Sequence, residues 1–374
     1  MLASSEAPPS PAGFYDEISQ QWNSGVTNES SATLNARRSP DRLNTNRSGA
    51  TDVLILTQKF DPHADVVIRE LEKAGVETLR LNTEDFLSSN KVMWGSDSPE
   101  AASLHDHLGR SIQLSSRFSS FYFRRPLPVS PHPKLLDEAA MKFSASEGEA
   151  FIDNLYALSD VRWVSAPHLL RAAEPKIPQL QLAMKLGLRI PRTLVTNSPK
   201  EALRFARSLP GDIAVKALKT ASVHTKDIYY SLYTRRMSFV EFEKIAEAVE
   251  FTPCILQEYV LKDTEYRVTI IGQDLFAVEL STQSVPDAKI DWREADTSAI
   301  RHSPVNLHPE LQGRLHKFLS YYRLGFGAID LLRTTDGEFV FLENNPNGVW
   351  YWLELETGLP MAASMVRLLT QGST

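Results

Sequence analysis

The segment Phe341-Leu342-Glu343-Asn344-Asn345-Pro346-Asn347-Gly348 is dense in groups that do chemistry, and Asp330 lies thirteen residues before its glutamate, in Ala328-Ile329-Asp330. Two antiparallel strands joined across Asp336-Gly337 would bring Asp330 beside Glu343, with Asn345 two residues on and pointing to the same face. Two carboxylates and an amide oxygen suit Mg²⁺, a hard cation that takes oxygen ligands at about 2.1 Å and is usually shared with substrate phosphates. A polar strand end with Asn-Pro-Asn-Gly as an ordinary turn accounts for the same residues, and taken alone the segment leaves both readings open.

Two lysines shift the balance. Lys216 ends the apolar run Ile213-Ala214-Val215, where an ammonium is costly unless an anion compensates it, and phosphate is the obvious anion. Lys176 sits early on a helix. A lone lysine in either context is more commonly a snorkelling surface residue. Further on, Gln257-Glu258-Tyr259-Val260 reads as a strand exit whose main-chain amides and carboxylate suit the edge of adenine, and Glu265 suits ribose hydroxyls. Each acid is commonplace by itself; the order of lysine, lysine, Gln-Glu-Tyr-Val, glutamate, then Asp330 with Glu343 and Asn345 is not.

The elements that must position these groups fall into two patterns. Val53 to Leu56 is a buried-strand run, Ala64 to Gly75 has helical spacing with a glycine at its stop, and Glu77 to Leu81 is a second strand. This β-α-β opening predicts a parallel sheet, extended by strands Ser111 to Leu114, Phe118 to Phe123 and Val161 to Val164 around a helix from Asp137 to Leu158. From about Pro167 the spacing predicts a helix ending at Gly187, a strand Thr193 to Val195, a helix Pro199 to Leu209 and the strand Ile213 to Lys216. Tyr229 to Tyr233 alternates like a strand, Phe239 to Val249 is helical, and Ile255 to Val260 is a strand. A hairpin of Tyr266 to Ile271 with Leu275 to Leu280 follows, then a helix Pro309 to Tyr322, strands Gly327 to Leu332 and Glu338 to Leu342, and a helix Trp352 to Leu369. The expected division is a disordered tail over 1–50, a small α/β domain over 51–166 and a second domain over 167–374. In the tail, Thr27, Glu29, Ser30 and Ser31 resemble groups that are ligated elsewhere, so a self-substrate reading stands beside a solvated tail.

Composition sets outer limits. The 374 residues are 42% hydrophobic and 23% charged, which excludes collagen-like, fully disordered and disulfide-scaffold classes. A net charge of −6 gives no global pull toward nucleic acid or an anionic membrane. No stretch approaches the roughly 18 to 20 apolar residues of a bilayer span, so the expected location is cytoplasmic. The single cysteine, Cys254, precludes an intramolecular disulfide, fits a reducing compartment and reads as a buried strand thiol.

With these residues in order, the chain over about residues 168–370 resembles the ATP-grasp carboxylate ligases, preceded by a domain like their pre-ATP-grasp α/β domain. More narrowly, Phe121-Tyr122-Phe123-Arg124-Arg125-Pro126, Val285 to Arg293 with Asp291-Trp292-Arg293, and Phe341 to Pro360 resemble the peptide maturases that make graspetides such as microviridins. The resemblance implies a mixed α/β and α+β chain in which two α+β subdomains clamp ATP. It implies that Lys176 and Lys216 bind the nucleotide, Gln257, Glu258, Tyr259 and Val260 form the adenine hinge, and Glu265 holds the ribose. It further implies Asp330, Glu343 and Asn345 as Mg²⁺ ligands, and Arg267 or Arg293 as the cation facing phosphates or the reacting carboxylate. Arg124 and Arg125 would grip acidic residues of a precursor peptide, although a double arginine without a motif is more often a surface ion-pair site. The loop over the phosphates should lie in Ala217 to Lys226, which has no glycine and offers Thr220, Ser222 and Thr225 instead. Trp292 and the Trp350, Tyr351, Trp352 cluster either line a peptide groove or pack under the last helix, the second being preferred for at least two of them.

The activity so implied joins Asp or Glu side chains of a ribosomal precursor peptide to Ser or Thr hydroxyls or Lys amines, using ATP and Mg²⁺; relatives of this kind also suggest a homodimer. A glutamate or amino-acid ligase of the ribosomal-protein-modifying or glutathione-synthase type would use the same ATP site, and a non-catalytic ATP-dependent peptide-binding module is a third reading. A metallohydrolase is weaker, because His105-Asp106-His107 lacks a third ligand and reads as a solvated loop.

Overall fold

The computed structural model describes residues 52–106, 111–113, 118–158, 161–219, 222–224, 229–231 and 233–371. Residues 1–50, with Thr27, Glu29, Ser30 and Ser31, lie outside the described residues, as do His107, Thr220 and Thr225.

The chain opens with β1 (Asp52–Thr57), α1 (Pro62–Lys73) and β2 (Thr78–Asn82). A small antiparallel sheet follows, built of β3 (Asn90–Gly95), β4 (Ser98–Asp106) and β5 (Ser111–Gln113). Next come β6 (Phe118–Phe123), α2 (Glu138–Leu158) and β7 (Arg162–Val164). The first main sheet has the order β2-β1-β6-β7 and is parallel throughout. Its centre is buried on both faces: Val53 and Ile55 point to one core, Leu54 and Leu56 to the other, which is why β1 is a continuous apolar run. The expected β-α-β opening is there, and α1 ends before Gly75, whose φ of 75° is the left-handed stop predicted for it. The loop reading of His105-Asp106 is corrected, since both residues lie at the end of β4. Ordinary polar residues on a twisted three-stranded edge sheet carry too little apolar period to be seen in advance.

After α3 (Pro167–Ala173) and α4 (Lys176–Lys185), the chain builds an antiparallel sheet of order β12-β9-β13-β8. Its strands are β8 (Thr193–Thr196), β9 (Ile213–Lys216), β12 (Arg235–Met237) and β13 (Cys254–Glu258). Between β9 and β12 lies the two-stranded hairpin β10 (Ser222–His224) and β11 (Tyr229–Ser231). The amphipathic α5 (Pro199–Arg207) and the short α6 (Phe239–Glu243) cover one face with Ala202, Ala206 and Phe242. Cys254 is half-buried on β13 and burial raises its pKa, so it is an inert strand thiol.

The last sheet has the order β16-β15-β14-β17-β18, with β14 (Lys262–Ile271), β15 (Asp274–Leu280), β16 (His302–Val305), β17 (Phe326–Thr334) and β18 (Phe339–Asn345). Tyr266, Val268, Ile270, Ile329, Leu331 and Phe341 face α4 and α7 (Pro309–Tyr321) in one core. The single C-terminal helix expected is two helices, α8 (Tyr351–Thr357) and α9 (Met361–Thr370). Gly358, at φ 70°, ends the first, and Pro360 cannot continue it.

From Thr51 on the chain is one compact unit. The seam between the parallel sheet and the five-stranded sheet is filled by α9, whose Met361, Met365 and Leu369 join Val53, Ile55 and Val67 in a shared core. It is pinned by polar groups as well. Arg124, 1% exposed, donates through Nη1 to Asn347 O at 3.0 Å and Gly348 O at 2.9 Å, and its Nε lies 3.3 Å from Asp61. Asp61 caps α1 by accepting from the His63 and Ala64 amides, and His63 Nε2 accepts from the Trp350 N–H at 3.0 Å. Trp350 is fully buried against the His63 ring, so it is core rather than groove.

Burial, with the nearby Arg124 charge, holds His63 down at about 4, so it is neutral in the fold. Because the folded value lies below the unfolded 6.5, stability is full above pH 6.5 and falls as pH drops toward 4, by up to about 3 kcal/mol. Chemical denaturation from pH 7 to 4 should show this loss in the native chain and a flatter profile in His63→Gln. Equal profiles would show that His63 does not carry the acid sensitivity.

Candidate active site

Arg267 on β14, Asp330 on β17 and Glu343 on β18 are direct cross-strand partners, so one row of the sheet carries cation, acid and acid. The row depends on an irregularity. Reading back from the turn, Arg333 pairs Phe339, Leu332 pairs Val340 and Leu331 pairs Phe341, so the next pair would be Asp330 with Leu342. A β-bulge sets Leu342 out of register and gives Asp330 Glu343 as its partner, while Phe341 keeps its place in the core.

Each acid is held by cations. Arg267, 3% exposed, forks onto Asp330 at 2.8 and 3.0 Å and donates to Val349 O at 3.2 Å. Lys176, the first residue of α4, reaches Glu343 at 2.7 Å. Gln179, one turn on, holds the strand by donating to Asn344 O at 2.8 Å and accepting from Asn344 N at 2.7 Å. Burial raises Glu343, yet Lys176, Arg293 and Lys216 outweigh it and hold the carboxyl at about 2. Burial pushes Asp330 above its usual range in spite of Arg267, and Glu343 adds to the push. A divalent cation at this pair would relieve that strain, and the all-oxygen donor set fits Mg²⁺.

The pair opens into a cleft between the β12-β9-β13-β8 sheet and the β16-β15-β14-β17-β18 sheet. Its lining brings together Lys176, Lys216, Gln257, Glu258, Tyr259, Val260, Glu265, Arg293, Asp330 and Glu343. Lys216 is half-buried at the end of β9, burial lowers its pKa, and it has no hydrogen-bond or ion-pair partner among the described residues. In the segment expected to serve as the hinge, the Glu258 and Tyr259 amides are committed to Arg192 O and Asp212 O, both at 2.9 Å; Val260 has no such bond among the described residues. Gln257 is buried and bonds Thr193 at 3.0 Å.

Four expected site residues lie outside that lining. Asn345, at the exposed end of β18, accepts from the Asn347 amide at 3.3 Å. Arg267 stands behind Asp330, whereas Arg293 lines the cleft, with a side chain 45% exposed and Nη1 3.9 Å from Glu343. Arg124 is the internal pin described above, and a peptide would have to displace that network to reach it. Arg125 is exposed beside it, with φ 45°. The structure also adds residues that sequence reasoning missed. Asp291, 4% exposed, grips Arg293 twice at 2.7 Å and accepts from the Thr234 amide at 3.2 Å, joining the two sheets' loops. Lys262 pairs with Glu265, both nearly buried. Asp291 lies inside the Asp291-Trp292-Arg293 motif, whereas Lys262 gives no signal because a regular strand would point it away from Glu265. Among the described residues no group of three or more His, Cys, Asp or Glu is placed to hold a metal, and no helix is long and apolar enough to cross a membrane.

No protein-family model and no curated protein sequence matches the chain. Solved structures do. A RiPP-associated ATP-grasp ligase from Chryseobacterium gregarium, in complex with ADP and a leader and core peptide, superposes with a TM-score of 0.79 at 25% identity, covering 85% of this chain and 96% of that one. The fold is that of the ATP-grasp ligases. Macrocyclase MdnC from Microcystis aeruginosa MRC, bound with precursor peptide MdnA, gives 0.75 at 26% identity over 85% of this chain and 99% of its own. Macrocyclase MdnB from the same organism gives 0.70 at 27% over 86% and 100%. These structures are the same kind of ATP-grasp ligase that the motifs in the sequence resemble.

Two outcomes test this geometry. Lys216→Met should weaken nucleotide binding in a calorimetric titration by roughly tenfold or more, the worth of a charge-assisted hydrogen bond. It should not lower the melting temperature, because among the described residues the ammonium has no hydrogen-bond or ion-pair partner to lose. Asp330→Asn and Glu343→Gln should each cut ATP-dependent turnover by about 100-fold or more with the far-ultraviolet spectrum intact; full activity in both would remove the pair from the reaction.

Proposed function

We propose that this chain is an ADP-forming ligase that activates Asp or Glu side chains of a ribosomal precursor peptide and joins them to Ser or Thr hydroxyls or Lys amines. The observation that carries this reading is the convergence of Lys176, Lys216, Arg293, Asp330 and Glu343 on one cleft. Three ligases with superposable folds, two bound to peptides, support the choice of substrate.

Condensing a carboxylate with an alcohol or amine in water is uphill, so the carboxylate is activated first. Its oxygen attacks the γ-phosphorus of ATP, ADP leaves, and an acyl phosphate remains. The hydroxyl or amine then attacks the acyl carbon, phosphate departs, and the acceptor's proton passes to solvent. Little covalent chemistry falls to the protein in the first step; it positions the groups and balances charge. Lys216, at the strand end and without an ion-pair partner among the described residues, meets the phosphates of the nucleotide. Arg293, clamped by Asp291, is the exposed guanidinium available to the peptide carboxylate and to the oxyanion of the second step. Arg267 acts behind the site by fixing the Asp330 carboxylate. Asp330 and Glu343 would hold Mg²⁺, which supplies positive charge against the phosphate oxygens when bound. Asn345, two residues beyond Glu343 at the end of β18, would add an amide oxygen to that set. The single cysteine and the use of ATP support a cytoplasmic location.

Intact mass spectrometry of a precursor peptide encoded beside the gene, incubated with the protein, ATP and Mg²⁺, should show losses of water, about 18 Da each, that require ATP. A gain equal to an added amino acid would instead make the protein an amino-acid ligase.

A further inference from the structure

Lys262 does not belong where it is by strand alternation. In a regular strand, residues three apart point to opposite faces, so Lys262 and Glu265 should not meet. On β14 they do, because the ladder with β17 shifts between Lys262 and Thr264, leaving Asp263 as an extra residue. The bulge turns Lys262 onto the face that carries Glu265 and Arg267, into the cleft lining. There its ammonium has two acceptors: the Glu265 carboxylate and Ile290 O, the latter at 3.0 Å. Ile290 is the residue before Asp291, whose carboxylate clamps Arg293 and receives the Thr234 amide. Lys262 therefore joins the acid at the nucleotide's sugar position to the loop that presents Arg293.

We propose that Lys262 is a positioning residue that transmits nucleotide occupancy at Glu265 to the loop 286–294, so that Arg293 is set in place when the nucleotide is bound. This rests on the nucleotide reading of the cleft. The ammonium is shared: it balances the charge of Glu265, which the fold otherwise buries, and its remaining hydrogens tether Ile290. Hydroxyl donors arriving at Glu265 redistribute that ammonium toward the Ile290 carbonyl and tighten the loop. The loop has other anchors, among them Tyr259 OH to Lys289 O at 3.5 Å, but among the described residues none of them is hydrogen-bonded to Glu265.

Hydrogen–deuterium exchange of the full chain, with and without saturating MgADP, tests the coupling. In the native protein and in Lys262→Arg, MgADP should slow exchange in 286–294 by about tenfold, alongside protection at the hinge, 254–260. In Lys262→Met the hinge should still be protected and the loop should not. Because Lys262→Met leaves Glu265 buried without a cation, the double variant Lys262→Met/Glu265→Gln provides a folded control and should also lose loop protection. Retained loop protection in the double variant, or hinge protection without loop protection in the native chain, overturns the coupling while leaving the nucleotide site standing. Absence of any MgADP effect in the native chain overturns the nucleotide reading and the coupling together.

Discussion

Two carboxylates side by side in a half-buried sheet row are the constraint on which the rest of the cleft depends. Asp330 and Glu343 repel each other, and taking them out of water raises the cost of keeping both ionised. The protein meets that cost with cations drawn from three directions: Arg267 from the neighbouring strand, Lys176 from the start of α4, and Arg293 from the loop after β15. These partners also fix geometry. Arg267 leaves Asp330 little freedom, while Lys176 and Arg293 reach Glu343 from elements that belong to different parts of the chain. Removing the negative charge of the row would therefore release the cations that hold it.

The same row is held from behind. Val349 O accepts from Arg267, and Asn347 and Gly348 accept from Arg124, so the loop after β18 is gripped by one arginine from each of two sheets. Gly348 is needed for this approach, since a Cβ there would lie 2.8 Å from both Ala328 Cβ and Arg267 Nη2. Arg124 is in turn oriented by Asp61, which caps α1, and the next buried contact is His63 with Trp350. The parallel sheet at the start of the chain thus reaches the Asp330–Glu343 row through a short series of buried polar contacts. That accounts for an Arg-Arg-Pro motif at the end of β6 without requiring Arg124 to touch substrate.

Much of this was legible in advance because it rests on local physics. Apolar runs with flanking glycines marked β1, α1 and α4, and the paired strands across Asp336-Gly337 put Asp330 near Glu343. Lysine at the end of an apolar strand signalled an anion, and Lys216 stands in the cleft with no partner among the described residues. Misreadings arose where a local pattern had two outcomes. The helical period predicts one C-terminal helix, but the Gly358-Leu359-Pro360 break divides it, and the motif offers Arg124 as a grip on acidic peptide residues, whereas it is buried against Asn347, Gly348 and Asp61.

The sequence by itself determined the residue types, their order along the chain and the periods that select strand or helix, because those follow from side-chain chemistry and backbone preference within a few residues. Register and face were decided only by the tertiary structure. A bulge at Leu342 is what pairs Asp330 with Glu343 rather than with a leucine, and a bulge at Asp263 is what turns Lys262 toward Glu265. Each displaces one residue from a two-residue alternation, a choice set by how neighbouring strands and the core on the far face pack. No local pattern encodes the bulges, so the turn at Asp336-Gly337 could bring Asp330 near Glu343 in advance, but the turning of Lys262 toward Glu265 could not be seen.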